Sequence, residues 1–247
     1  MSVIDAMPRH QFGYIQPVQV ADMIHYQFYR ICPPDCSLVS CPLDLRAFSS
    51  SGVDAALEAF WPAFDFLVDR EVERISQGGI PVSAYAGRPR ILAMLEEAAK
   101  RTSIPATADF EESIEAMHHL GIKNPAVAAK WSTELLGRIV EYLDHAGMPC
   151  EGTHGDEHTA SQVVALKPKE SVDVALALGR EAFTKFPDAD GLLLAGGAWF
   201  VMQAVPILEE EFKKPVVTNP GSTYWAALKQ AGLKPTPGFG YLLDSLL

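Results

Sequence analysis

Three stretches of the chain carry residues suited to holding an anion: Ala195-Gly196-Gly197-Ala198, Ala84-Tyr85-Ala86-Gly87-Arg88-Pro89 and Asn219-Pro220-Gly221-Ser222-Thr223. Each lies where a short apolar run gives way to a longer amphipathic one. A turn from strand into helix leaves backbone N–H groups unpaired beside the positive end of the helix dipole, a ready receptor for a carboxylate or phosphate. Gly196 and Gly197 would let a ligand approach the backbone, Ala86 and Gly87 do the same in the second turn, and Pro89 suits a first helical turn. Taken singly, each turn has a plainer use, because small residues let a helix pack closely on a strand. Three on one edge point to a cleft for an anionic ligand beyond the carboxyl ends of the strands.

Side chains in and around these turns supply the chemistry. Tyr85 is a neutral phenol that can donate a proton or a hydrogen bond, or pack within its turn. Arg88 can clamp a carboxylate through two parallel N–H bonds, or face solvent at a helix start. Lys130 directly follows the apolar run 126–129. Desolvation there would lower its pKa and suit it to act as acid, base or Schiff-base nucleophile; the alternative is a surface lysine at a strand end. Trp131, Trp199, Tyr224 and Trp225 can wall a planar substrate or fill a core. Asn219 and Ser222 can donate to a carboxylate, cap the next helix, or both.

Thiols and imidazoles are less promising. Cys32, Cys36 and Cys41 crowd into CPPDCSLVSC, with Cys150 far away and without a neighbouring cysteine. Zinc sites usually draw on two separated cysteine pairs, so these read as reduced, packed thiols. His154, Asp156, Glu157 and His158 lie close together, but Gly155 disfavours the helix that would align the two histidines, and a solvated polar loop is expected. No metal is assigned.

The elements that would position these residues alternate. Strands are predicted at 12–16, 37–41, 80–84, 126–129, 148–152, 191–195 and 215–218, with a short one at Ile104-Pro105. Helices are predicted at 20–30, 53–77, 90–101, 110–120, 133–146, 171–186, 199–212 and 223–230; 151–169 reads as a loop. Alternation of this kind builds α/β layers around parallel sheets. The segment from Ser76 to Met117 echoes the one from Pro187 to Leu228, so two similar parallel-sheet α/β (Rossmann-like) domains related by a pseudo-twofold are expected. The boundaries are set at 1–122 plus 222–247 and at 123–221, with the active site between them.

Composition narrows the partners. The 247 residues carry 31 acidic and 20 basic side chains, a formal charge of -11. That balance opposes nucleic acid and anionic lipid alike. No apolar run reaches the ~20 residues that span a bilayer, and the first residues lack a signal peptide's apolar segment. A cytoplasmic protein is expected, with a homo-oligomer left open.

PDADGLLLAGGAWFVMQAVPILEEEFKKPVVTNPGSTYWAAL, followed by PGFGYLLD, resembles the C-terminal half of the aspartate/glutamate racemase superfamily, in its arylmalonate decarboxylase and maleate cis-trans isomerase branch. GYIQP resembles the branch's first strand and turn, QGGIPVSAYAGRP its second pocket turn, and HHLGIKNPAVAAKWSTELLGRIVEYL its middle strand and helix. The resemblance implies two α/β domains, no cofactor and a small carboxylate substrate between them. Its racemases and isomerases work with paired cysteines, whose pKa a helix N-terminus can tune, and its decarboxylases with the second one. Here those positions fall on Ala86 (or Tyr85) and Gly196, so chemistry by two thiols is not expected. Gln16 follows the first strand, where maleate isomerase carries an asparagine. Lys130 and Trp131 align with the middle pocket turn, where the family places a tyrosine.

Three readings follow. The leading one is a cofactor-independent C–C lyase, a decarboxylase type, acting on a small carboxylate through an enediolate. Its catalytic candidates are Lys130 and Tyr85; its substrate-binding candidates are Gln16, Ala86, Gly87, Arg88, Trp131, Gly196, Gly197, Trp199, Asn219 and Tyr224. The second is a C–N or C–O hydrolase in the same cleft, and the third a non-catalytic carboxylate binder.

Overall fold

The structure, a computed structural model, describes residues 7–247. Its frame is two four-stranded sheets, parallel throughout. The first holds β1 (His10–Gln16), β2 (Cys36–Pro42), β3 (Arg74–Gln77) and β4 (Ala106–Ala108). The second holds β5 (Ala126–Ala129), β6 (Gly152–Gly155), β7 (Leu192–Ala195) and β8 (Val216–Val217). Both use the order second, first, third, fourth. The doubled α/β architecture anticipated from the echo is thus present. Every residue of β5 and β7 is buried, as in parallel strands covered on both faces.

Register decides what meets at the strand ends. Ile15 pairs with Gln77 in the first sheet, so the chain leaves β1 and β3 side by side, at Gln16-Pro17 and Gly78-Gly79. Ala129 pairs with Ala195 in the second, so Lys130-Trp131 and Gly196-Gly197 emerge together. The two glycine pairs are equivalent positions in the two sheets.

Helices α1 (Asp22–Ile31), α2 (Ser50–Leu57), α3 (Phe60–Asp69), α4 (Ile80–Ala86), α5 (Arg88–Arg101) and α6 (Asp109–His119) accompany the first sheet. Helices α7 (Thr133–His145), α8 (Ala160–Ala165), α9 (Pro168–Lys185) and α10 (Val205–Phe212) accompany the second. Then α11 (Asn219–Ala231) returns to pack on α6 and α1, and α12 (Tyr241–Asp244) ends the chain. One core cluster includes Phe12, Phe28 and Phe110 with Val127, Tyr142 and Leu193, and so belongs to both halves. Within it Phe110 of α6 stacks on Tyr142 of α7 at 4.3 Å between ring centres.

Several expectations need correction. The helix expected over 53–77 is α2, α3 and then β3, because Leu67, Val68, Val72 and Ile75 hold a helical spacing past the point where the chain turns into the sheet. The strand expected at 80–84 is helix α4: Gly79 turns the chain with φ 102°, and Pro81 fits the first turn of a helix. The segment 151–169 contains β6 and α8, and α11 opens at Asn219 rather than at 223. Helix α10 starts at Val205, so Gly196-Gly197 runs into an irregular loop and no helix dipole points from it.

Candidate active site

A cavity of about 40 Å³ lies at the adjoining carboxyl ends of the sheets. The first half contributes Tyr14, Pro17, Val18, Ile24, Leu45, Phe48, Gly79, Ile80 and Pro81; the second contributes Lys130, Trp131, Gly196, Gly197 and Ala198, with Asn219 from α11. The walls are mostly apolar, and Lys130 is the one charged side chain among the described lining residues.

Lys130 is fully buried at the end of β5. Its ammonium contacts are few: Nζ donates to the Ala198 carbonyl at 3.4 Å and lies 3.9 Å from the centre of the Trp199 ring. No carboxylate lies within ion-pair distance of it among the described residues. Burial therefore pushes its pKa well below the ordinary lysine value, only partly opposed by the charge of Asp156. Trp199 is fixed in turn: its indole Nε1 donates to the Gly196 carbonyl at 2.6 Å, and its own carbonyl accepts from Gln27 Nε2 at 3.0 Å. Gln27 Oε1 accepts from the N–H groups of Val201 and Met202, so α1 straps down the loop after Gly196-Gly197.

A buried hydrogen-bonded chain joins the two glycine turns. Gly79 N–H donates to Asp109 Oδ2 at 2.7 Å, Asn219 Nδ2 donates to the same oxygen at 2.8 Å, and Gly196 N–H donates to Asn219 Oδ1 at 2.8 Å. Asp109 Oδ1 has no partner among the described residues. Burial pushes the Asp109 carboxyl up to about 7, against the pull of the two donors. The N–H groups of Gly79 and Gly196 are thereby committed inside the protein. Those of Gly197 and Ala198, outside any helix or strand, make no bond among the described residues and remain available.

Tyr14 brings a phenol into the same space. Burial raises its pKa well above the ordinary value, with the Asp109 charge adding to the effect, so it stays protonated and can donate. Gly78 is required by this placement, since a Cβ there would lie 2.1 Å from the Tyr14 hydroxyl oxygen. Phe48, edge-on to Trp131 at 6.0 Å, closes one side.

The structure sorts the predicted site residues. Lys130, Trp131, Gly196, Gly197 and Asn219 line the cavity, and Trp199 lies beneath the lysine. Gln16 does not line it; its amide donates to the Val18 and Gln19 carbonyls and shapes the Pro17-Val18 wall. Tyr224 is buried, its hydroxyl on the Ile24 carbonyl. Tyr85, Ala86, Gly87 and Arg88 lie at the far end of α4, away from the lining: the Tyr85 hydroxyl meets Glu134, and Arg88 pairs with Glu111 at 2.9 Å. The reason is the displaced strand. With β3 ending at Gln77, the turn facing Gly196-Gly197 is Gly78-Gly79. Its likeness to the other glycine pair (QGGI against AGGA) was the signal that could have found it.

None of the four cysteines lines the cavity. Burial raises all their pKa values, Cys36 and Cys150 to about 11, so they resist ionisation. His154 lies against Glu181 and His158 against Asp156, and no three potential metal ligands converge among the described residues.

A family model described as arylmalonate decarboxylase matches residues 29–243. The chain belongs to the arylmalonate decarboxylase family. It is 26% identical over 215 residues to the arylmalonate decarboxylase of Bordetella bronchiseptica, covering 85% of this chain and 88% of that one. Among solved structures, a glycine-to-cysteine, cysteine-to-serine double mutant of arylmalonate decarboxylase in its liganded form superposes with a TM-score of 0.87 at 24% identity, over 96% of this chain and 99% of the other. The maleate isomerase of Pseudomonas putida S16 shares the fold with a TM-score of 0.83 at 17% identity, over 96% and 99% of the two chains. No helix among the described residues of this family member is long and apolar enough to cross a membrane.

Proposed function

We propose that the cavity is the active site of a cofactor-independent C–C lyase, which removes carbon dioxide from a small carboxylate with Lys130 handling the proton. Family membership supports the reaction class. The observation that carries it is a fully buried lysine, unpaired with any carboxylate among the described residues, in an apolar cavity with two backbone N–H groups that make no bond among those residues. Apolar walls strip water from the carboxylate that leaves. The C–C bond to it breaks, carbon dioxide departs, and the electron pair passes into the remaining acid group as an enediolate. The N–H groups of Gly197 and Ala198 and the Tyr14 hydroxyl supply donors where that charge gathers. The Lys130 ammonium then gives a proton to carbon, and water restores it. A lowered pKa makes that ammonium a better acid near neutrality.

A hydrolase in the same cleft has less support, because no carboxylate or imidazole lines the described cavity to activate water. Carbon dioxide release from small substituted malonates, unaffected by thiol alkylation, tests the reading. Lys130→Met should lower the rate by about 10²–10⁴-fold, the usual worth of a positioned acid. Release of ammonia, incorporation of solvent oxygen into the carboxyl group of the acid formed from a malonate, or thermal stabilisation by the acids without turnover would each overturn it.

A further inference from the structure

We propose that Lys130 is a covalent catalyst, whose amine captures a carbonyl carbon as an imine, so that the substrate class is a small 3-oxo carboxylate. This keeps the lyase reading above and rests on the cavity being its active site, but an enamine on the Lys130 nitrogen replaces both the enediolate and proton donation by its ammonium. The first ground is the amine's surroundings. A lysine kept as a permanent cation in a protein interior is normally paired, yet among the described residues Nζ has only one carbonyl, at 3.4 Å, and an aromatic face. Such an amine is held ready in its neutral, nucleophilic form, as desolvated Schiff-base lysines are.

The second ground is what the walls offer the later species. The iminium carries a positive charge that the free amine lacks, and the indole face of Trp199, 3.9 Å from Nζ, lies where that charge forms. The ring cannot turn away, because its Nε1 is bonded to the Gly196 carbonyl. Tyr14, protonated and lining the same cavity, supplies a neutral acid for the step that expels water.

The steps balance without an added reagent. The amine nitrogen bonds to the carbonyl carbon, giving a carbinolamine, and the former carbonyl oxygen leaves as water with one proton from the amine and one from the Tyr14 hydroxyl, leaving a protonated imine. The C–C bond to the carboxylate then breaks, carbon dioxide departs, and the electron pair moves through carbon onto nitrogen as a neutral enamine. A proton from solvent adds to carbon, restoring the iminium. Water adds, the C–N bond breaks, and a ketone leaves with the free amine regenerated and the proton released going back to the Tyr14 oxygen.

The test is reductive trapping of the whole protein. Acetoacetate and sodium cyanoborohydride at neutral pH should add one reduced ligand, placed on Lys130 by peptide mapping. Labelling there should exceed that at every surface lysine, because burial raises the share of free amine at Lys130. Lys130→Met and Lys130→Arg, verified as folded by circular dichroism, should both lose this adduct while keeping surface labelling. An unlabelled Lys130 overturns the imine, and if malonates still lose carbon dioxide in that case, the lyase reading stands without it. A Lys130 adduct with no carbon dioxide from any acid keeps the imine and overturns the lyase.

Discussion

Replacing Asp109 by asparagine should remove a pH dependence from the stability of the whole fold. The carboxyl is completely buried, its Oδ2 accepts from Gly79 and Asn219, and its Oδ1 is unpartnered among the described residues. Its pKa rises from 3.8 to about 7, chiefly through desolvation. A raised folded pKa means that the folded protein binds this proton more tightly than the unfolded chain. The group therefore destabilises the fold progressively as pH rises from about 4, with the loss complete once pH exceeds the folded value. A shift of about 3 units at 1.36 kcal/mol each makes the full penalty about 4 kcal/mol. Asp109→Asn retains an oxygen for both donors but has no proton to lose. Glu209, also pushed up to about 7, titrates in both proteins and cancels from the comparison. Urea denaturation at a series of pH values from 4 to 9 provides the assay. The native protein should lose stability relative to the variant across that range, by several kcal/mol in all. Parallel curves would show that Asp109 is ionised at no cost, and the argument from burial would be wrong.

Further expectations concern the neighbours of that carboxyl. Asn219→Ala breaks two buried bonds and leaves Gly196 N–H unpaired, which should cost about 2–4 kcal/mol in denaturant and slow amide exchange at Gly196 less than in the native protein. Gly78→Ala puts a methyl into the Tyr14 phenol and should cost about 1–3 kcal/mol by overpacking, measured as a fall in the unfolding midpoint. Tyr85→Phe, at the far end of α4, should leave turnover unchanged, since its hydroxyl reaches only Glu134 at 3.4 Å.

The strands that carry the second half of the site were plain in the sequence. Runs of four buried residues at β5 and β7, each followed by a polar or glycine turn, announce their position and what leaves their ends. The first half hid its equivalent strand. Arg74-Ile75-Ser76-Gln77 is short and mostly polar, and the apolar spacing of α3 runs on into it, while the apolar run Ile80-Pro81-Val82 mimics a strand. That one displacement moved the expected turn from Gly78-Gly79 to Ala86 and put Tyr85 and Arg88 in the wrong place. Asp109 left no local trace: an acid at a helix start reads as a cap, and its partner Asn219 lies 110 residues away. Tyr14 did have a signal, since Phe12, Tyr14 and Gln16 share one side of β1 by simple alternation.

The polar link from Gly79 through Asp109 and Asn219 to Gly196 sets the mechanics of access. Hinging the halves apart would break the Asn219–Asp109 bond and take two buried polar groups from each other. That link opposes widening of the cleft. Phe48, by contrast, closes the cavity by packing alone, and swinging its ring aside breaks no hydrogen bond.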